Sequence, residues 1–183
     1  MKNKSVRTIV AIGIGAALFF VLGRFVAIPS PVPNTSICLQ YGLLAFMAAL
    51  FGPLAGALIG LIGHFLIDLS AGWGIWWSWV IASACFGCAI GFVSKYVGLS
   101  DGKFGGSDIL KFNIFQAVAH LLTWVVIAPV LDILIYAEPA NKVFVQGLVA
   151  AAANIVTTAI VGTLLCVAYA AAKPKKGSLK EEE

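Results

Sequence analysis

Charge is scarce in this sequence. Twelve Lys or Arg and eight Asp or Glu make up 11% of 183 residues, against 61% hydrophobic residues. A soluble domain carries about 25% charged and about 45–50% apolar residues. The surface of a soluble enzyme or a nucleic-acid binder needs more charge than this, and a disordered chain needs far less apolar content, so these classes are excluded. The composition is that of a polytopic membrane protein.

Catalytic equipment is equally thin. There are two histidines, and no HExxH pair, no GxxxxGK[ST] phosphate loop and no GxSxG elbow. The chain therefore has no phosphate loop with which to hydrolyse ATP, and no catalytic residue is assigned. Four cysteines are present, two of them in a CxxC at Cys85–Cys88. That pair lies in the apolar run 75–93 beside Phe86, Gly87 and Ala89, with no second pair and no histidine nearby. It reads as small helical residues rather than a metal site, and no metal ligands are expected.

What is abundant is apolar sequence. Six segments are drawn as spans, at about 6–27, 36–50, 54–69, 75–96, 109–136 and 143–172, followed by a tail at 173–183. The first is too long for a cleavable signal and lacks a clear small-x-small site. Pro29, Pro31 and Pro33 end it, because proline lacks the amide and fixes φ. Phe51-Gly52-Pro53 divides the second from the third, and both are short for a core of about 30 Å.

The basic residues set an orientation. Lys2, Lys4, Arg7, Lys95, Lys103, Lys111, Lys173, Lys175, Lys176 and Lys180 fall on one side, and only Arg24 and Lys142 on the other. Ten against two predicts six helices with both termini cytoplasmic, since Lys and Arg accumulate in cytoplasmic loops. The net charge of +4 is thus explained by span flanks rather than by phosphate binding.

Polar and aromatic residues gather near the outer ends. Arg24 closes the first span, Asn34 follows in the proline loop, and Gln40 and Tyr41 open the second. His64 and Asp68 lie one turn apart, sharing a helix face. Trp73, Trp76, Trp77 and Trp79 crowd the start of the fourth span; Trp124, Asp132 and Tyr136 occupy the outer half of the fifth, and Asn141, Gln146 and Asn154 the last or its entry. The tryptophans are either an interfacial belt or the walls of a pocket for a flat ligand. The charges are either exposed to outer water or paired at depth, where Arg24 would meet an aspartate.

In the first span, Ala11 and Gly15, and Gly13 and Ala17, form small-xxx-small pairs. These serve either packing inside the bundle or docking of another membrane subunit.

With these features together, the chain resembles the S-components, the substrate-binding membrane subunits of energy-coupling factor (ECF) transporters. The likeness rests on six spans, basic cytoplasmic ends and the small-residue run Ala11-Ile12-Gly13-Ile14-Gly15-Ala16-Ala17. The stretch from Thr8 to Ala17, with Ile28-Pro29 through Pro33-Asn34 and Phe51-Gly52-Pro53, is similar to the cobalamin subgroup. The resemblance implies an all-α subunit in the bacterial cytoplasmic membrane, without a cofactor of its own, that captures a vitamin outside and topples to release it inward. It implies a transmembrane coupling subunit and two cytoplasmic ATPase subunits as partners, which use the ATP, and contact with the former at Ala11, Gly13, Gly15 and Ala17. Cobalamin is the first expected ligand, with Arg24, Asn34, Tyr41, His64, Asp68, Trp73, Trp76, Trp77, Trp124, Asp132 and Tyr136 as candidate contacts. Riboflavin, thiamine or a thiamine precursor is the alternative, and a small lipid-modifying membrane enzyme the alternative of another class.

Overall fold

In the computed structural model, residues 2–173 are described, and nearly all of them are helical. The first helix, α1 (Lys2–Phe25), is a continuous apolar rod that stops before the prolines. The proline loop folds back on itself. Two-residue strands β1 (Ile28–Pro29) and β2 (Ser36–Ile37) pair antiparallel, Ile28 opposite Ile37. Asn34 turns the chain between them with φ of 60°, a left-handed conformation that asparagine tolerates. The Ser30 amide donates to the Thr35 carbonyl at 3.1 Å, and the Thr35 hydroxyl to the Val32 carbonyl at 2.6 Å.

Helix α2 (Gln40–Phe51) is only 12 residues long, about 18 Å at the α-helical rise. Nine of those residues are buried, so it is an internal rod rather than a lipid-facing one. It ends at Gly52, whose φ of 89° lets the chain reverse into α3 (Pro53–Ala71), with Pro53 in the first turn, where no amide is missed. Helix α4 (Trp77–Gly91) lies tightly on α3. A Cβ on Gly56 would come within 2.2 Å of the Gly87 carbonyl oxygen, and one on Gly60 within 2.4 Å of the Ser83 oxygen. Glycines permit this approach, which dispersion then rewards in lipid, where burial itself drives little.

Two 3₁₀ turns (Phe92–Lys95 and Leu99–Asp101) lead to two very long rods. Helices α5 (Gly106–His120) and α6 (Ala128–Tyr136) are joined without a break by a π-type stretch, Leu121–Ile127. Helices α7 (Ala140–Thr157) and α8 (Thr163–Ala172) are joined likewise through Thr158–Gly162. The Ala128 amide donates to the Thr123 carbonyl, five residues back, just before Pro129, which has no amide to give.

Five helical stretches are long and apolar enough to cross a membrane: Val6–Phe25, Pro53–Ala71, Trp77–Lys95, Gly106–Tyr136 and Ala140–Ala172. The sixth apolar segment, α2, is the short one. Against the sequence reading, α3 gains residues at both ends, α4 begins at Trp77, and the last two rods begin three residues early. Of the expected tail, 174–183 lie outside the described residues. The bundle has the polarity of a membrane protein. Leu110, Ile114, Leu134, Val156 and Leu164 point outward, while Gln116, His120, Asp132 and Thr158 are enclosed.

Candidate ligand-binding site

A cavity of about 560 Å³ opens at one end of the bundle, where α1, α3 and α6 finish and α4 and α7 begin. The proline loop forms one wall, with Asn34. Gln40 and Tyr41 of α2, His64 and Asp68 of α3, Trp73, Trp76 and Trp79 around the start of α4, Asp132 of α6, and Gln146 and Asn154 of α7 contribute the rest.

Two buried carboxylates organise the tryptophans. Asp132 is 2% exposed and accepts from Trp76 Nε1 at 2.7 Å, Trp79 Nε1 at 2.9 Å and the Ser78 hydroxyl. Asp68, 3% exposed, accepts from the Trp76 amide at 2.9 Å and Trp73 Nε1 at 3.3 Å. Three indoles thus spend their N–H groups on carboxylates that would otherwise be buried without donors. Trp76 is held further by Tyr136, which stacks on it at 4.2 Å while its hydroxyl accepts from the Trp77 amide at 2.8 Å. The aromatic wall is therefore set before any ligand arrives.

A second polar chain runs inward. His64 Nε2 lies 3.8 Å from Asp68 Oδ1, and His64 Nδ1 is 2.6 Å from Ser83 Oγ, itself 3.0 Å from the Tyr41 hydroxyl. Below, Trp124 packs on Trp79 and Tyr41, both at 5.2 Å between centroids, and donates to His120 Nδ1 at 3.0 Å. The His120 proton is thereby placed on Nε2, 3.0 Å from Thr158 Oγ1. Gln146 Nε2 donates to the Pro33 carbonyl at 2.9 Å and ties the proline loop to α7. The oxygens Gln40 Oε1 and Asn154 Oδ1 are buried without a partner.

Of the sequence candidates, Asn34, Tyr41, His64, Asp68, Trp73, Trp76 and Asp132 line the cavity. The other four do not. Arg24 is exposed, its guanidinium 5.8 Å from the Phe25 ring, and pairs with neither aspartate, because the indoles already serve both carboxylates. Trp77 is rotated out of the cavity by the helical period and meets Phe65 on the outer flank at 5.9 Å. Trp124 is fully buried beneath the floor, and Tyr136 stands behind Trp76. Gln40, Trp79, Gln146 and Asn154 belong to the lining although the sequence did not separate them from their neighbours. The spacing 76/79 and 146/150/154 marks one helix face in each case and would have found them.

The small residues of α1 divide in the same way. Ala11 and Gly15 face the bundle, and a Cβ on Gly15 would be 2.7 Å from Ile59 Cδ1. Gly13 has open space beside it, and Ala17 is exposed. The 11/15 pair is therefore occupied by internal packing, and the 13/17 pair is the outward one.

Among the described residues, no three His, Cys, Asp or Glu side chains group to hold a metal. An apolar multi-span bundle with an aromatic and polar cavity at one end is the architecture of a membrane protein with room for a small molecule. The chain belongs to the S components of ECF transporters: the family model described as "ECF-type riboflavin transporter, S component" matches residues 3–171. A UPF0397 protein of Enterococcus faecalis (strain ATCC 700802 / V583) is 53% identical over 183 residues, covering all of both chains. One of Staphylococcus aureus (strain MSSA476) is 51% identical over 178 residues, 97% of each, and one of Lactococcus lactis subsp. cremoris (strain NZ9000) 53% over 182, all of each. No solved structure matches. The chain is thus a membrane transport subunit and not an enzyme, of a family that works with ATPase and transmembrane subunits. Neither the family nor these relatives are named for cobalamin.

Proposed function

We propose that this chain captures a vitamin-sized, flat heteroaromatic molecule from outside the cell for an ECF importer. The cavity at the end of the bundle poorest in basic residues carries the reading. Lys95, Lys103, Lys111 and Lys173 all sit at the opposite end, which supports a cytoplasmic placement for that end and an outward mouth for the cavity. Six crossings with both termini inside follow if α2, shielded by its neighbours, counts as the short sixth. Toppling on a transmembrane coupling subunit, driven by two ATPase subunits that use the ATP, would deliver the ligand inward. Gly13 and Ala17 offer the outward small face for that docking.

A volume of about 560 Å³ is ordinary for a small-molecule site. It suits riboflavin, thiamine or a thiamine precursor, whereas a corrinoid is far larger and would protrude from it. Cobalamin, the first expectation from the sequence, therefore gives way to the smaller vitamins. The purified protein in lipid nanodiscs, titrated calorimetrically with riboflavin, thiamine and cobalamin, tests this. One-to-one binding of a small vitamin and co-purification with the coupling module are expected. Tight binding of cobalamin alone would overturn the ligand assignment; no vitamin bound and no module recovered would overturn the transport role.

A further inference from the structure

The cavity has a charge imbalance that its neutral donors do not remove. Asp68, Asp132 and Glu138 line it, and among the described residues Lys142 is the only Lys or Arg in the lining, with the imidazole of His64 the one further basic group. Lys142 is already engaged, its Nζ 2.6 Å from Glu138 Oε2 at the mouth. Asp132 is fully served by two indoles and a hydroxyl. Asp68 is not. It has two N–H donors and a histidine 3.8 Å away whose other ring nitrogen is committed to Ser83, and it has no Arg or Lys partner among the described residues. Neutral donors orient a buried carboxylate but leave its charge uncompensated in a low-dielectric setting.

Two further groups point the same way. Gln40 and Asn154 are 4% and 3% exposed, both line the cavity, and each has a side-chain oxygen without a partner. An unpaired acceptor is costly when buried, and N–H groups on an incoming ligand would complete it. Around them stand the indoles of Trp73, Trp76 and Trp79, whose π faces attract cations. Arg24 is outside the lining, so among the described residues Lys142 is the one Lys or Arg there that could meet a phosphate or carboxylate.

Resting on the capture role above, we propose that the ligand is a cation: a flat heteroaromatic vitamin or precursor with a positively charged ring or protonated amine. Asp68 is its counter-ion, and Gln40 and Asn154 accept its N–H groups. Neutral isosteres and phosphorylated forms are discriminated against.

The test uses matched probes on the full chain in nanodiscs: thiamine against its neutral oxidation product thiochrome, the pyridinium 1-methylnicotinamide against nicotinamide, and thiamine against thiamine phosphate, with riboflavin as an unrelated neutral. At least one cation binds, and its neutral partner binds about 30-fold more weakly or worse, the loss expected when one member of a buried charge pair is removed. Asp68→Asn erases that preference while keeping the elution profile and helical circular-dichroism spectrum of the wild type. Should Asp68→Asn fail to fold, the wild type still decides. Ligand retained from the native membrane and released by acid migrates to the cathode at pH 7. Riboflavin or another neutral or anionic compound bound most tightly, no cation bound, an Asp68→Asn protein with wild-type cation affinity, or a released ligand that does not move as a cation would each overturn the proposal. Of these, tight riboflavin binding would leave the transport role standing.

Discussion

Removing the Asp132 carboxylate charge gives a prediction whose size is set by the structure. Asp132 lies at 2% exposure and receives three donors, Trp76 Nε1, Trp79 Nε1 and Ser78 Oγ. In Asp132→Asn one oxygen is replaced by an NH₂ that faces donors instead of accepting from them. Hydrogen bonds between side chains inside a membrane protein average only about 0.6 kcal/mol, because the unfolded state in lipid also finds partners. The amide oxygen that remains still accepts, so the one bond lost at the replaced oxygen sets a floor of roughly 0.6 kcal/mol. Breaking a buried charged cluster in a soluble protein costs about 3–5 kcal/mol, which sets the ceiling. For a chain of this size each kcal/mol lowers Tm by about 2–4 °C, so a loss of roughly 1–20 °C is expected in a thermal melt of the detergent-solubilised protein. Ser78→Ala removes one donor and lowers Tm by about as much as the floor, near 1–2 °C. A cycle of Asp132→Asn with Trp79→Phe shows positive coupling, because the two changes remove one shared bond. An Asp132→Asn melt within 1 °C of the wild type would refute the claim that this carboxylate organises the wall.

Other outcomes follow from the same contacts. Gly87→Ala places a Cβ about 2.1 Å from the Gly56 oxygen, where backbone cannot yield, so the α3–α4 contact opens and the melt falls by several degrees or the protein fails to accumulate. Gly15→Leu destabilises the bundle through Ile59, whereas Gly13→Leu leaves Tm unchanged and lowers recovery of the coupling module in co-purification. Gln146→Ala frees the proline loop from α7, and the bound vitamin dissociates faster in a stopped-flow chase without loss of Tm beyond about 3 °C, the value of one hydrogen bond.

The membrane class, the presence of the apolar rods and the end of the bundle that holds the cavity were legible in composition, prolines and placed charges, while the rod limits differ by a few residues. What the sequence left open was angular. Trp76 and Trp77 are adjacent, yet one lines the cavity and the other meets Phe65, since successive helical residues differ by about 100°. Arg24 invited pairing because charges are costly in lipid, but at the last turn of α1 it lies outside the cavity and the indoles take its place. The same rotation decides Ala11 and Gly15 against Gly13 and Ala17. His120 escaped notice because it sits within an apolar run; Trp124 lies one turn on in the same rod, but only the packing of α5 against the Thr158–Gly162 stretch brings His120 to Thr158. Helix α2 was legible as an element through Gly52-Pro53, but its enclosure was not, because a short apolar run has no lipid face to betray.

The central claim is that a small vitamin sits among Trp76, Asp68 and their neighbours. Isothermal titration of the nanodisc-embedded protein tests it most directly, with the wild type, Trp76→Ala and Asp68→Asn each run against the same vitamin panel. One-to-one binding of a thiamine- or riboflavin-sized compound by the wild type is expected, weakened up to about tenfold by Trp76→Ala, the upper end of one aromatic stacking contact. Binding of the same compound with unchanged affinity in both variants would contradict the claim, because the ligand would then lie somewhere other than this cavity.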